Sequence, residues 1–385
     1  MSTGDLADEY FNRSYLTVRD TPYEQQRGEY AVFCRSAGRL AGVSDVLELV
    51  RHRGGPGVVV RGKSDGDAFA PMEVVLTLAG PFGALVTLET EYLGMLSLSG
   101  AATNMAAMVA AAGNDAAIID MAARHYPPEM AGRLGVAAAI GGAAGTSTPA
   151  GYAAAHARFG VGGDRIRIGK GSGDASSPRD FRLYGTIPHA LNAVYKGSSV
   201  ESAAAYHAKF PLVPLTVLVD YEGREKETVA EAVQRFHSDL FAVRLDTPGN
   251  RVFQGGHEKP DRALEMRILS RVSDRPTAMA ALERYGFGPG VTIEEVFAIR
   301  DLLDSHGARH TKIVVSSGFD LEKIRAFKAC KAPFDFVGTC SWVTFYPFTS
   351  DIVRVFEDGI WRPQCKAGRA EELELPPELP LLLET

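Results

Sequence analysis

Arg182-Leu183-Tyr184-Gly185-Thr186-Ile187-Pro188-His189-Ala190-Leu191 is the stretch on which the reading of the fold turns. An apolar-leaning run, Phe181 to Tyr184, ends in a Gly-Thr turn, and a histidine follows within a few residues. In a β/α repeat, that is where a side chain leaves the C-terminal end of a strand and faces an active site. Histidine is also the side chain best suited to proton or phosphoryl traffic near neutral pH. For an isolated histidine after a strand, a structural hydrogen bond is the alternative role.

Working outward, apolar runs recur from about residue 116: Ala116 to Met121, Val136 to Ile140, Phe181 to Tyr184, Leu215 to Asp220, Phe241 to Asp246, Lys312 to Ser316 and Phe334 to Gly338. Several are β-branched and nearly continuous, as expected of parallel strands buried on both faces. Helical spacing lies between them. Val229, Val233 and Phe236 recur at four and three, as do Val296, Ile299 and Leu303 at three and four. Asp320 is placed to cap a helix carrying Leu321, Ile324 and Phe327. The pattern predicts an α/β protein with an irregular, incomplete β/α barrel over 116–340; a doubly wound open sheet is the alternative. Residues 1–115 read as an α+β domain, joined by 341–385. Val74 to Leu78 and Ala84 to Leu88 are its β-prone runs, and Glu89 to Ala112 is a long helix.

The 385 residues are 45% hydrophobic and 23% charged, with a net charge of -6. That balance argues against a nucleic-acid binder held by phosphate neutralisation. A small anionic ligand needs only a local basic pocket. The cysteines are Cys34, Cys330, Cys340 and Cys365. No CxxC pair occurs, and a reducing cytoplasm fits their sparseness. No signal peptide or membrane span is expected; Asn104, Asn114 and Asp115 interrupt the Ala-rich stretch from Gly100 to Ala123. The glycine-rich segment 160–173 does not match the P-loop pattern and reads as a loop, with Lys170 a candidate anion contact.

The strand ends offer His189 after GTIP, Asp220-Tyr221 after LTVLV, Arg244 and Asp246 in VRLDTPG, Ser316-Ser317-Gly318 after KIVV, and Gly338-Thr339 after FDFV. Turns with free backbone N–H groups that lead towards helices bind phosphate well, and after the last two strands they occupy the usual barrel phosphate position. The acids suit magnesium or a hydroxyl-rich ligand, and Arg244 suits a phosphate or carboxylate. Each part has a plain structural alternative: a turn initiator at Asp246, a paired interior residue at Arg244, a helix-entry turn at Ser317-Gly318. Together they predict an enzyme acting on a phosphorylated sugar, with His189 in the chemistry.

These residues also carry a resemblance. GTIPHAL resembles the GTMPHAL segment of the nicotinate phosphoribosyltransferases. Asp8-Glu9-Tyr10-Phe11-Asn12-Arg13-Ser14, the Glu89 and Glu91 of LETEYLG, VRLDTPGNR, SSGFDLEKI, and VGTCSW followed by DIVRVFEDG resemble the family's other motifs in the same order. The likeness runs over nearly the whole chain and is nearer the shorter, archaeal-type members. It implies an irregular barrel, a C-terminal tail returning to the N-terminal region, and a homodimer with shared active sites. It also implies a cytoplasmic enzyme that joins nicotinate to 5-phosphoribosyl-1-pyrophosphate, giving nicotinate mononucleotide and pyrophosphate, with magnesium and coupled ATP hydrolysis. Position by position, His189 would be the histidine phosphorylated by ATP. Tyr10 and Phe11 would lie near the pyridine ring, and Arg13 and Arg124 near phosphate or the base carboxylate. Asp220, Arg244 and Asp246 would hold ribose, phosphate and magnesium, with Thr186 beside them. Ser317, Gly318, Gly338 and Thr339 would hold the 5′-phosphate.

The chain departs from the family in two places. The arginine pair of E/D-F-G-x-R-R appears as Arg124-His125, and Ala144 replaces an acid that in nicotinamide-using relatives meets the amide. Hydroxyls at Thr146 and Ser147 favour a carboxylate-bearing base. Only Cys365 lies in the tail, so no zinc is expected. A phosphoribosyltransferase for another pyridine-like base and a non-catalytic nucleotide-binding relative are the competing readings.

Overall fold

Seven parallel strands make the central sheet: β1 Ala117–Asp120, β2 Gly145–Thr146, β3 Arg182–Leu183, β4 Leu215–Leu218, β5 Leu240–Leu245, β6 Lys312–Val315 and β7 Phe336–Thr339. Their order is β3-β2-β1-β7-β6-β5-β4. Each strand pairs with its neighbour in sequence except across one gap, and β1 pairs with β7. The sheet therefore curls into a barrel that stays open between β3 and β4. A doubly wound sheet would reverse its order at a switch point; this one never does. The computed structural model describes residues 6–168, 178–369, 373 and 379–385.

The strands form where β-branched runs can be buried on both sides. Val217, Val243, Ile313, Val315 and Val337 are fully buried, and Val229, Phe236, Val296, Ile299 and Leu303 cover them from the intervening helices. Asp320 caps helix Leu321–Ala329 by accepting from Lys323 N at 2.8 Å.

A second sheet, antiparallel throughout, runs in the order Ile360–Pro363, Phe348–Glu357, Arg27–Cys34, Val74–Pro81, Val59–Gly62 and Leu381–Glu384. Chain from beyond the barrel supplies three of its strands, so the C-terminal tail completes the N-terminal α+β region. Val32, Leu76 and Leu78 pack there against Val46 and Val50 of helix Val43–Arg53 and against Leu96.

Four expectations from the sequence are corrected. Val136 to Ile140 is not a strand but part of helix Ala131–Gly141. Its continuous burial among alanines removes the helical period, and its glycines let helices touch. A Cβ on Gly135 would stand 2.3 Å from Gly151 Cα, and one on Gly141 would stand 2.5 Å from Met105 Cβ. Ala84 to Leu88 is helical as well; Pro81 precedes a helical turn, Phe82–Leu85, which buries Leu85 and runs on into Val86–Leu88. The long helix of 89–112 divides into Glu89–Leu96 and Ser99–Ala112. Segment 160–168 is not loop alone, because Gly160–Gly162 and Arg165–Ile166 pair with each other and then with Arg179–Asp180. Lys170 lies outside the described residues.

Residues Phe82–Ala112 are long and apolar enough to cross a membrane by composition, yet half of the most apolar window is buried inside the protein. Met105 and Met108 lie in the barrel-side core.

Candidate active site

The C-terminal ends of β4 and β5 carry a dense charged network. His189 is the first residue of the short helix His189–Val194, set by the extended Pro188. Its Nε2 meets both carboxylate oxygens of Asp220 at 3.1 Å. Asp220 is almost wholly buried, whereas the His189 side chain is 44% exposed. The hydrogen bond that Asp220 accepts holds the imidazolium above its ordinary value of 6.5; Asp246 adds to this, while burial and Arg244 oppose it. Tyr221 lies beside the ring, 6.0 Å between centroids.

Arg244 is buried at the centre. Its Nε donates to Ser316 Oγ at 2.9 Å, Nη1 to Thr186 Oγ1 at 2.9 Å, and Nη2 to Asp246 Oδ2 at 2.8 Å. One guanidinium thus ties together three strand-end segments, and a hydrogen-bonded fork of this kind fixes geometry as well as charge. Asp246 also accepts from Ser316 Oγ at 2.8 Å. The β4 end is braced from behind by Arg251, which donates to Asp220 O at 3.1 Å and to the buried Glu225. Thr247 donates to Glu295 at 2.8 Å, and burial pushes the Glu295 carboxyl up to about 8.

The opposite rim is made mostly of backbone. Ser317 and Gly318 both have left-handed φ, +68° and +73°. A Cβ on Gly318 would meet open space, whereas one on Gly338 would meet Met121 Cε at 2.5 Å. Ser317, Gly318, Gly338 and Thr339 line a cavity of about 180 Å³ with Arg124, His125 and Asp246. A neighbouring cavity of about 290 Å³ is lined by Arg124, Ser147, Thr148, Thr186, Pro188 and Arg244. The two share Met121, Arg124 and Arg244, so they form one basic depression at the barrel mouth.

The structure thus brings together His189, Asp220, Asp246, Arg244, Thr186, Arg124, Ser147 and the two glycine turns. Thr146 is different. It is fully buried and its hydroxyl donates to Asp120 Oδ2 at 2.7 Å, so it supports the floor and does not face a ligand. The Thr339 hydroxyl is likewise engaged, by Phe319 O and Ser341 N. Tyr10, Phe11 and Arg13 sit on helix Glu9–Val18, which has no buried residue and packs on Val86–Leu88. They line neither mouth cavity, and Arg13 pairs with Glu9.

Met121 and Asp120 are site residues that the sequence reading did not select. Asp120 is buried, its carboxyl raised by that burial, and it accepts from Ala122 N and Thr146. The available signal was its place at the end of the first barrel strand.

Residues 8–99 match the family model of the quinolinate phosphoribosyl transferase N-terminal domain. A nicotinate-nucleotide pyrophosphorylase from Pyrococcus furiosus superposes with a TM-score of 0.70 at 26% identity, over 95% of this chain and 78% of that one. The chain shares the fold of this pyrophosphorylase over nearly its whole length. Human nicotinic acid phosphoribosyltransferase shares the fold at 16% identity and a TM-score of 0.57, covering 91% of this chain and 75% of that one. NadC from Streptococcus pyogenes shares it at 16% identity and 0.52, over 89% and 94%. No curated protein sequence matches the chain. In this fold, the basic depression lies where parallel-barrel enzymes hold their phosphorylated ligands.

Proposed function

We propose that the protein is a nicotinate phosphoribosyltransferase, forming nicotinate mononucleotide and pyrophosphate from nicotinate and 5-phosphoribosyl-1-pyrophosphate, with ATP hydrolysis coupled through phosphorylated His189. The observation that carries this reading is the half-exposed His189 held by buried Asp220 beside a basic depression.

Ribosyl transfer needs no base. The lone pair of the pyridine nitrogen forms the bond to ribose C1, and the C1–O bond breaks with its electrons going to pyrophosphate. Positive charge develops on the sugar, and the carboxylates of Asp220 and Asp246 stabilise it, as in glycoside chemistry. Among the described residues, no group of three or more His, Cys, Asp and Glu side chains could hold a metal. Magnesium does not require one, because it binds through one or two carboxylates, water and substrate phosphates. Asp220 and Asp246 fit that mode, and the ion when bound neutralises the leaving pyrophosphate.

His189 is therefore free to couple energy. With Nε2–H donated to Asp220, Nδ1 is the unprotonated nitrogen. It attacks the γ-phosphorus of ATP, ADP departs, and water later takes the phosphoryl group. Among the described residues, Arg124 is the cavity-lining arginine not bound to a carboxylate, since Arg244 is committed to Asp246. One such cation suits one carboxylate, hence nicotinate. The exposed Tyr10 and Arg13 and the half-buried Phe11 reach a site only in a homodimer with shared active sites.

The family model matched over 8–99 favours a second reading, transfer to quinolinate. Turnover assays with nicotinate, nicotinamide and quinolinate, each with magnesium and with or without ATP, separate the two. Nicotinate mononucleotide from nicotinate alone, made faster with ATP, supports the first. Product from quinolinate with release of carbon dioxide and no ATP effect supports the second.

A further inference from the structure

The turn at Ser317–Phe319 has its polar groups sorted by direction. Among the described residues, no acceptor takes the N–H groups of Ser317, Gly318 or Phe319. Two of its carbonyls are instead tied back. Lys323 Nζ donates to Ser317 O at 3.3 Å, and Thr339 Oγ1 donates to Phe319 O. Ser317 holds this turn at φ +68° without being glycine, a conformation that persists only when its surroundings impose it.

Lys323 is placed to impose it. It is the third residue of helix Leu321–Ala329, and its ammonium lies 4.5 Å from the Phe319 ring centroid and 5.7 Å from that of Phe327. Among the described residues it forms no ion pair. Burial lowers the ammonium to about 8, against the pull of Glu295 and Asp320. The ammonium is thus partly desolvated beside the turn whose Ser317 carbonyl it holds.

We propose that Lys323 is a positioning residue for phosphate binding, holding the Ser317 carbonyl away from the 180 Å³ cavity so that the Ser317–Phe319 N–H groups stay open to the 5-phosphate of the ribose. This rests on the phosphoribosyl reading above. A structural lysine whose stem merely covers two aromatic rings would tolerate loss of its charge.

The test uses the full chain carrying Lys323→Met, which keeps the stem over both rings and removes the donor. Ribose 5-phosphate affinity is measured by calorimetry, and KM for phosphoribosyl pyrophosphate and kcat by steady-state turnover. The variant is expected to bind ribose 5-phosphate about tenfold more weakly, with KM raised to match, the scale of one lost charge-assisted bond. Its kcat at saturation stays within about twofold of wild type, the signature of lost binding without lost chemistry. Lys323→Arg restores most of the affinity. Wild-type affinity in Lys323→Met, or a fall in kcat at unchanged KM, overturns the proposal alone. A wild-type protein that binds neither ligand overturns the phosphoribosyl reading and this proposal with it. Should Lys323→Met not fold, as judged by thermal melting, Lys323→Leu, which also lacks a donor, replaces it with the same expectations and the same contrary outcomes.

Discussion

The two rims of the barrel mouth are built on opposite plans. On the β4 and β5 side, function lies in side chains: His189 on Asp220, and Arg244 on Asp246, Ser316 and Thr186. On the β6 and β7 side it lies in the backbone, with left-handed Ser317 and Gly318 opposite the close-packed Gly338. Side chains can change charge and carry a phosphoryl group. Backbone N–H groups cannot titrate, and they hold a constant anion without entropy loss in long side chains. On the proposed reading, the changing partner of the reaction faces the first rim and the unchanging 5-phosphate faces the second.

Removing the carrier should separate the rims most sharply. His189→Ala is expected to abolish ATP hydrolysis and ATP stimulation, a fall of about 10³-fold or more, while slow ATP-independent transfer remains. Full ATP-stimulated turnover in that variant would break the assignment. Asp246→Asn should lower kcat/KM for phosphoribosyl pyrophosphate about 10²-fold with and without ATP, because it removes charge facing the developing cation and frees Arg244. An effect seen only with ATP would move Asp246 to the phosphoryl side. Gly338→Ala should act on the second rim. Its Cβ displaces Met121, which borders both mouth cavities, and KM is expected to rise about tenfold with melting little changed, since a flexible methionine yields more readily than backbone.

The smallest effect is in pH. In the proposed phosphoryl transfer the neutral imidazole is the nucleophile, and Asp220 holds the imidazolium above 6.5. ATP hydrolysis should therefore rise with pH through a midpoint above 6.5. Asp220→Asn, which removes the stabilising charge, should shift that midpoint down while lowering the rate. A midpoint unmoved in Asp220→Asn would detach the pair from the reaction.

The same contrast explains what could be read from the sequence. The runs at β4 to β7 were legible because strands buried on both faces must be continuously apolar, and their ends name residue types with evident chemistry. Val136 to Ile140 was not, because a fully buried helix is equally continuous; only Gly135 meeting Gly151 reveals the packing that makes it helical. Thr146 stands in a motif beside Ser147, yet one hydroxyl faces the floor and the other residue lines the cavity, a choice made by the strand's pleat and by buried Asp120. Lys323 gave no local signal, because its role depends on a carbonyl held in an unusual turn. Tyr10, Phe11 and Arg13 lie on an exposed helix of the same chain, so their expected place at the base depends on a second copy.

The central claim is that one rim carries a phosphoryl group on His189. The most direct measurement is transfer of label from ATP radioactive at the γ-phosphate, followed by site mapping of the acid-labile, base-stable product. The account predicts stoichiometric labelling of His189 at Nδ1, lost in His189→Ala and discharged faster when nicotinate and phosphoribosyl pyrophosphate are added. No label on the wild-type protein, or label that persists in His189→Ala, would contradict it.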